Sequence, residues 1–199
     1  DSYGSRGLGD VYKRQEIYHG IQYENNPTTA LEITDKCYVI NSFSKYFSMT
    51  GWRIGWMIVP EDHVRQVERL SQNLFICPPH VSQLTALSAM DANIELNENV
   101  NVYKKNREIL LEELPKAGLG KFSPPDGAFY IYVDISKYSN DSLNFCKEVL
   151  NKAGVAITPG LDFDQKRGNS MIRFSYARST DDIVEGMKRI NLFMNKNYL

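Results

Sequence analysis

Apolar positions fall into two kinds of pattern along the chain. In its first half there are short continuous runs. Cys37-Tyr38-Val39-Ile40 is a compact apolar stretch entering a Ser/Lys-rich segment, which predicts a buried parallel strand. Ile54-Gly55-Trp56-Met57-Ile58-Val59 is a second run, stopped by Pro60. Pro60 predicts a helix start, with Glu61 and Asp62 in the first turn, where carboxylates suit the dipole, and Val64, Val67 and Leu70 following. Pro78-Pro79 breaks that helix, and a second helix, rich in small residues, is predicted from about Val81 to Ala92. Residues 20–30 are polar, contain Asn25-Asn26-Pro27 and read as a loop.

From about Leu96 the period changes. Tyr103, Leu110, Leu111 and Leu114 lie at offsets of 7, 8 and 11, one face of a long helix that Pro115 and Gly118 end. Short strands are predicted at 129–133, 155–157 and 171–175. Between the first two lies a helix with Asp141 or Ser142 as N-cap and Gly154 at its C-terminal side. A last helix carries Ile183, Met187, Ile190 and Met194 on one face, with Thr180 as its N-cap. Residues 96–199 therefore read as a small α+β domain with its own core, and 16–95 as the remnant of a larger α/β domain. Residues 1–15 show no periodic apolar face. The end of that segment, Asp10-Val11-Tyr12-Lys13-Arg14-Gln15, resembles the translation of a common transposon-end sequencing adapter, so the segment is read as a disordered artefact outside the fold.

Composition narrows the classes. A net charge of −1 gives no basic surface for nucleic acid. No apolar run approaches the ~18 residues of a bilayer span, and no signal peptide is visible, so a cytoplasmic protein is expected. Cys37, Cys77 and Cys146 are odd in number and far apart, as reduced thiols would be. The three histidines show no metal-ligand spacing with them, and no metal is expected.

The chemistry concentrates at Lys45, in Ser42-Phe43-Ser44-Lys45-Tyr46-Phe47-Ser48-Met49-Thr50-Gly51-Trp52-Arg53-Ile54-Gly55. A solvated amine is almost fully protonated at neutral pH; desolvation and a neighbouring cation favour the neutral nucleophile, which condenses with an aldehyde. Two hydroxyls and a guanidinium suit a phosphate dianion, arginine giving the planar fork phosphate prefers.

This segment resembles the lysine motif of fold-type-I pyridoxal-phosphate enzymes, and specifically of class I and II aminotransferases of the aspartate aminotransferase group. The resemblance runs from Glu16 to near Arg189 and is similar to the C-terminal half of that family. It implies the type-I fold: a truncated large α/β domain followed by a small C-terminal α+β domain. It also implies pyridoxal 5′-phosphate (PLP) as cofactor, an imine at Lys45, and phosphate held by Ser42, Ser44 and Arg53. Tyr18, in Glu16-Ile17-Tyr18, would donate to the ring's phenolate oxygen. Arg173, in Met171-Ile172-Arg173-Phe174-Ser175, would clamp the substrate α-carboxylate. The substrates would be an amino acid and a 2-oxo acid, and the family's homodimer is the expected assembly. One position departs from the pattern. Where the family has an aspartate that pairs with the pyridine nitrogen, this chain has Gln15, and the resemblance covers only the C-terminal half, so the chain by itself is expected to turn over poorly or not at all.

Two other readings stay open on the same residues. Carbon–sulfur β-lyases and aminocyclopropane-carboxylate synthases use the same lysine chemistry, although Met49-Thr50-Gly51-Trp52-Arg53 favours aminotransferases. A non-catalytic fragment, folded only in its small domain, is the third.

Overall fold

A computed structural model describes residues 12–199. The chain divides into two compact units, Asp1–Glu98 and Asn99–Leu199. The boundary falls inside a long helix, three residues after the 95/96 division read from the sequence.

The first unit is built on a three-stranded sheet of order β1-β2-β3, with β1 at Tyr12–Gln15, β2 at Cys37–Ser42 and β3 at Gly55–Ile58. Two expectations change here. Residues 12–15 are not disordered: they pair in parallel with β2, from Tyr12 opposite Cys37 to Gln15 opposite Ile40. All four side chains are exposed, so the strand exists through its backbone ladder and left no apolar alternation to read. The rest of the 1–15 segment lies outside the described residues. The second correction is direction. β3 runs antiparallel to β2, with Ser42 opposite Gly55. The Phe43 amide donates to the Ile54 carbonyl (3.2 Å), closing the intervening loop at its base. A loop closed in this way returns the chain antiparallel, whereas a parallel partner needs a crossover.

A 3₁₀ turn at Glu61–His63 precedes α1, Val64–Leu74, and α2 spans His80–Ala89. None of the α1 residues is buried: of the apolar side marked by Val64, Val67 and Leu70, Val64 and Leu70 are exposed and Val67 is half-buried among the described residues. One core cluster of this unit is Phe43, Met49 and Ala86, with Phe47, Ile54, Trp56 and Ala89 packed around them; Ile21, Cys37 and Val39 are buried as well.

The second unit has a fuller core. Helix α3, Asn93–Lys116, runs into it and carries Leu110 and Leu114, both buried; Gly118 follows in a left-handed conformation. A second sheet has the order β4-β6-β5, with β4 at Tyr130–Asp134, β5 at Thr158–Pro159 and β6 at Met171–Ser175, all antiparallel. β5 lies just after the predicted 155–157, because only Thr158 and Pro159 reach the β6 ladder. One face of this sheet carries Ile131, Val133, Ile172 and Phe174, all buried. Helix α4, Ser142–Ala153, is capped by the Asp141 carboxylate at the Asn144 amide and ended by a left-handed Gly154. Helix α5, Thr180–Asn197, buries Ile183, Met187, Ile190 and Met194, the face its spacing predicts. Its N-cap is Ser179 rather than Thr180; the Ser179 hydroxyl accepts from the Asp182 amide. Among the described residues no helix is long and apolar enough to cross a membrane.

Candidate functional site

In the first unit, β1 and β2 are parallel, and the chain leaves both at their C-terminal ends, where open α/β sheets bind ligands. Off β1, the Glu16 amide continues the ladder to the Ile40 carbonyl (2.8 Å), and a tight turn follows, the Ile21 amide donating to the Tyr18 carbonyl (2.9 Å). Glu16 is buried. Its carboxylate accepts from the Ala30 amide (2.8 Å) and lies 3.5 Å from His19 Nδ1, so it ties the following loop to the strand end. Gly20 has φ +94°, and a Cβ there would sit 2.5 Å from the Tyr46 ring. Only glycine allows both the backbone and the contact, which brings the turn bearing Tyr18 against the loop bearing Lys45.

Off β2, alternation sorts the side chains. Phe43 is buried against Phe47 and Trp56, with ring centroids 4.6 and 5.0 Å away, while Ser42 and Ser44 flank it in sequence and project elsewhere. Ser42 Oγ accepts from the Ser44 amide (3.1 Å) and donates to Ser44 Oγ (2.9 Å). The Thr50 hydroxyl donates to the Ser44 carbonyl (2.7 Å), and Arg53 Nη1 donates to the Thr50 carbonyl (2.7 Å). Buried Met49 anchors the middle of the loop, its amide donating to the Phe43 carbonyl (3.0 Å). Ser48 and Arg53 are both left-handed, at φ 55° and 52°. Non-glycine residues held there cost on the order of 1–3 kcal/mol each, and such strain concentrates at ligand clamps. Lys45 Nζ lies 5.8 Å from the centroid of the Tyr18 ring.

Five of the six residues singled out from sequence thus lie at the C-terminal ends of β1 and β2: Tyr18 in the turn after β1, Ser42 as the last residue of β2, and Ser44, Lys45 and Arg53 in the loop after it. The set comprises a primary amine beside a phenol ring, two hydroxyls in contact, and a guanidinium in the same bonded loop. It suits a phosphate dianion and an electrophilic carbonyl.

The sixth, Arg173, lies in the second unit on the central strand β6, opposite Tyr132 on β4 and Thr158 on β5. It occupies the sheet face away from Ile172 and Phe174, as alternation predicts. The solvent-facing arginine that pattern alone suggests is not what the fold gives. The guanidinium carbon is 4.2 Å from the centroids of both the Tyr130 and Phe163 rings, and the buried Nε has no acceptor among the described residues. Sequence reading missed Phe163 as part of this site, since nothing periodic marks a single aromatic in an irregular loop. The nearby Asp164 is a loop cap: its carboxylate accepts from the Lys166 and Arg167 amides (2.9 and 3.0 Å) and from Arg167 Nε (3.0 Å). These contacts, the Arg167 amide first, hold its carboxyl below the usual range. Among the described residues no group of three or more His, Cys, Asp or Glu side chains could hold a metal ion.

Comparison with known proteins accords with this geometry. Residues 15–190 match the family "Aminotransferase class I and II". A valine–pyruvate aminotransferase of Mycobacterium tuberculosis is 45% identical over 183 residues, which are 90% of this chain and 47% of that protein. An aspartate aminotransferase of Sulfurisphaera tokodaii is 36% identical over 187 residues, 90% of this chain and 47% of the relative. A solved aminotransferase structure from Mycobacterium tuberculosis superposes with TM-score 0.89 at 43% identity, covering 92% of this chain and 49% of that one. A solved structure from Silicibacter pomeroyi gives TM-score 0.92 at 61% identity, covering 94% and 51%. The chain spans about half the length of the curated relatives it matches. With a match over residues 15–190 and a fold shared with solved aminotransferases, this chain belongs to the class I and II aminotransferase family.

Proposed function

We propose that the first unit holds PLP and that the protein transfers an amino group between an amino acid and a 2-oxo acid. The observation that carries the reading is the placing of Lys45 Nζ 5.8 Å from the Tyr18 ring, in a loop whose base sets the Ser42 and Ser44 hydroxyls 2.9 Å apart. When bound, the cofactor supplies an aldehyde that captures amines and a ring that delocalises negative charge. This chain's residues do the rest. Ser42, Ser44 and Arg53 hold the phosphate, and the Tyr18 hydroxyl donates to the ring oxygen. Lys45 Nζ would hold the cofactor through its aldehyde carbon, the aldehyde oxygen leaving as water, and would carry the proton at the substrate α-carbon. Arg173 pairs with the α-carboxylate. The relatives' names give different donors, valine and aspartate; the α-amino acid end is common to both, and that is the end Arg173 would read. The working unit in this reading is a cytoplasmic homodimer.

Gln15 ends β1, three residues before Tyr18. An amide can hydrogen-bond a pyridine nitrogen but adds no charge to stabilise its protonated form, so the chain turns over poorly and Gln15→Asp raises its rate.

Titration with PLP and with pyridoxal, which lacks the phosphate, tests the cradle. PLP binds more tightly, and Arg53→Ala removes most of the difference. Equal affinity for the two aldehydes, or no effect of Arg53→Ala, overturns the reading. A β-lyase is separated by acceptor dependence, because without a 2-oxo acid a transaminase stops after one product per site while a lyase turns over.

A further inference from the structure

Arg173 sits in the middle strand of its sheet, yet none of its described contacts fixes the head group by hydrogen bonding at Nε. Two aromatic rings do that work, each with its centroid 4.2 Å from the guanidinium carbon. Tyr130 is supplied by β4, where it pairs with Ser175, one diagonal step from Arg173 on the same face. Phe163 is supplied by a turn locked to the sheet. Its amide donates to the Gly160 carbonyl (2.9 Å), and Gly160 has no room for a side chain: a Cβ there would meet the Met171 carbonyl and the Tyr132 hydroxyl at 2.6 Å each. Gly168 packs as closely on the other side, its Cβ position 2.6 Å from the Gly160 carbonyl oxygen. Phe163 itself is 53% exposed, so its ring borders solvent while it contacts Arg173.

We propose that Tyr130 and Phe163 are positioning residues: the two rings flank the Arg173 guanidinium and leave its in-plane N–H edge, rather than its faces, to meet a ligand. Edge-on approach is the geometry of the bidentate carboxylate pair, so the clamp selects a planar carboxylate and sets its orientation. A guanidinium gripped through its faces has also lost the rotamer freedom that a free arginine must give up on binding. This rests on the reading of Arg173 as the α-carboxylate partner, and the test separates the two.

The test uses the full chain, labelled with ¹⁵N, with the Arg173 Nε–H resonance assigned by its loss in Arg173→Lys. Without ligand, that resonance is shifted upfield by the rings and exchanges slowly with water. Phe163→Leu and Tyr130→Leu move it to the ordinary arginine position, and Phe163→Tyr and Tyr130→Phe keep it shifted. If Phe163→Leu and Tyr130→Leu leave it unmoved, the clamp is wrong whatever Arg173 binds. Pyruvate is then titrated as the carboxylate probe. The wild type and the ring-retaining variants shift saturably, and each Leu variant binds about tenfold more weakly. Its urea midpoint stays near the wild-type value, so the loss is not unfolding. A clamped resonance that ignores pyruvate sinks the carboxylate reading, and with it the clamp's role in binding; equal pyruvate affinity in wild type and Leu variants sinks that role alone.

Discussion

Replacing Asn106 by leucine tests how the second unit holds the strand that carries Arg173. Asn106 is fully buried on α3, and its Nδ2 donates to the Tyr176 carbonyl (3.0 Å) and the Arg178 carbonyl (2.7 Å), where the chain leaves β6. Tyr176 is itself buried and returns to the start of β4, its amide donating to the Phe129 carbonyl (3.0 Å) and its hydroxyl to the Ala128 carbonyl (3.3 Å). One amide therefore anchors the exit of the Arg173 strand to the helix beneath it. Leucine is close in volume but takes this donor away from both carbonyls. A buried carbonyl left without a donor costs about 1–3 kcal/mol. The Tyr176 oxygen takes the middle of that range, and the Arg178 oxygen, partly reachable by water, about 1 kcal/mol. Against this, Asn106 Oδ1 has no partner among the described residues, so its removal recovers about 1 kcal/mol. The net loss is about 2 kcal/mol, which for a unit the size of Asn99–Leu199 lowers the melting temperature by about 8–16 °C. The two tryptophans, Trp52 and Trp56, both lie in the first unit, so their fluorescence follows that unit alone; tyrosines lie in both, so the second unit is followed by the near-ultraviolet dichroism transition that does not coincide with the fluorescence one. A dichroism midpoint that moves by less than the equivalent of ~0.5 kcal/mol, the range of an ordinary surface change, would refute the anchoring role.

Three further outcomes follow from single sites. Gly20→Ala combines a left-handed backbone with the clash against Tyr46 and costs about 2–4 kcal/mol, whereas Gly51→Ala, with nothing within 4 Å, changes the tryptophan-monitored urea midpoint by less than ~0.5 kcal/mol; equal effects would contradict the packing described. Exposed Cys77 reacts with maleimide at once at neutral pH, while Cys146, whose thiol burial and then the Asp162 carboxylate push up to about 11, labels only when urea opens the unit; mass spectrometry that finds both labelled together would contradict this. Asp134 is bonded first by Lys121 (2.6 Å) and then by Ser136, which lowers its carboxyl from 3.8 to about 2. A lowered carboxyl contributes its stability above the unfolded value and loses it as pH falls through the folded one, so the contribution fades between about pH 4 and pH 2. Asp134→Asn flattens the stability curve of the second unit in that window, and an unchanged curve would show that the pair contributes nothing.

What the sequence made legible was what local pattern encodes. The α5 face of Ile183, Met187, Ile190 and Met194 is a pure period, and each is buried. The Lys45 segment carries its fold with it, since Phe43 and Met49 bury themselves and leave Ser42, Ser44 and Lys45 at the strand end. The direction of β3 was hidden because its apolar run reads the same in a parallel or an antiparallel sheet; the closure between Phe43 and Ile54 decides it. β1 was hidden because its side chains bury nothing. Asn106 was hidden because apolar periodicity skips a polar residue, even one fully inside. The N-cap of α5 shifted by one residue because Ser179 and Thr180 are adjacent hydroxyls and only the backbone selects between them.

The central claim is that Lys45 is the residue that bonds the cofactor aldehyde. Adding PLP to the folded chain, reducing with borohydride and mapping the peptides tests it most directly. The account predicts a pyridoxyl group on Lys45, lost in Lys45→Ala and suppressed by inorganic phosphate competing at Ser42, Ser44 and Arg53. Modification of other lysines with Lys45 untouched would contradict it.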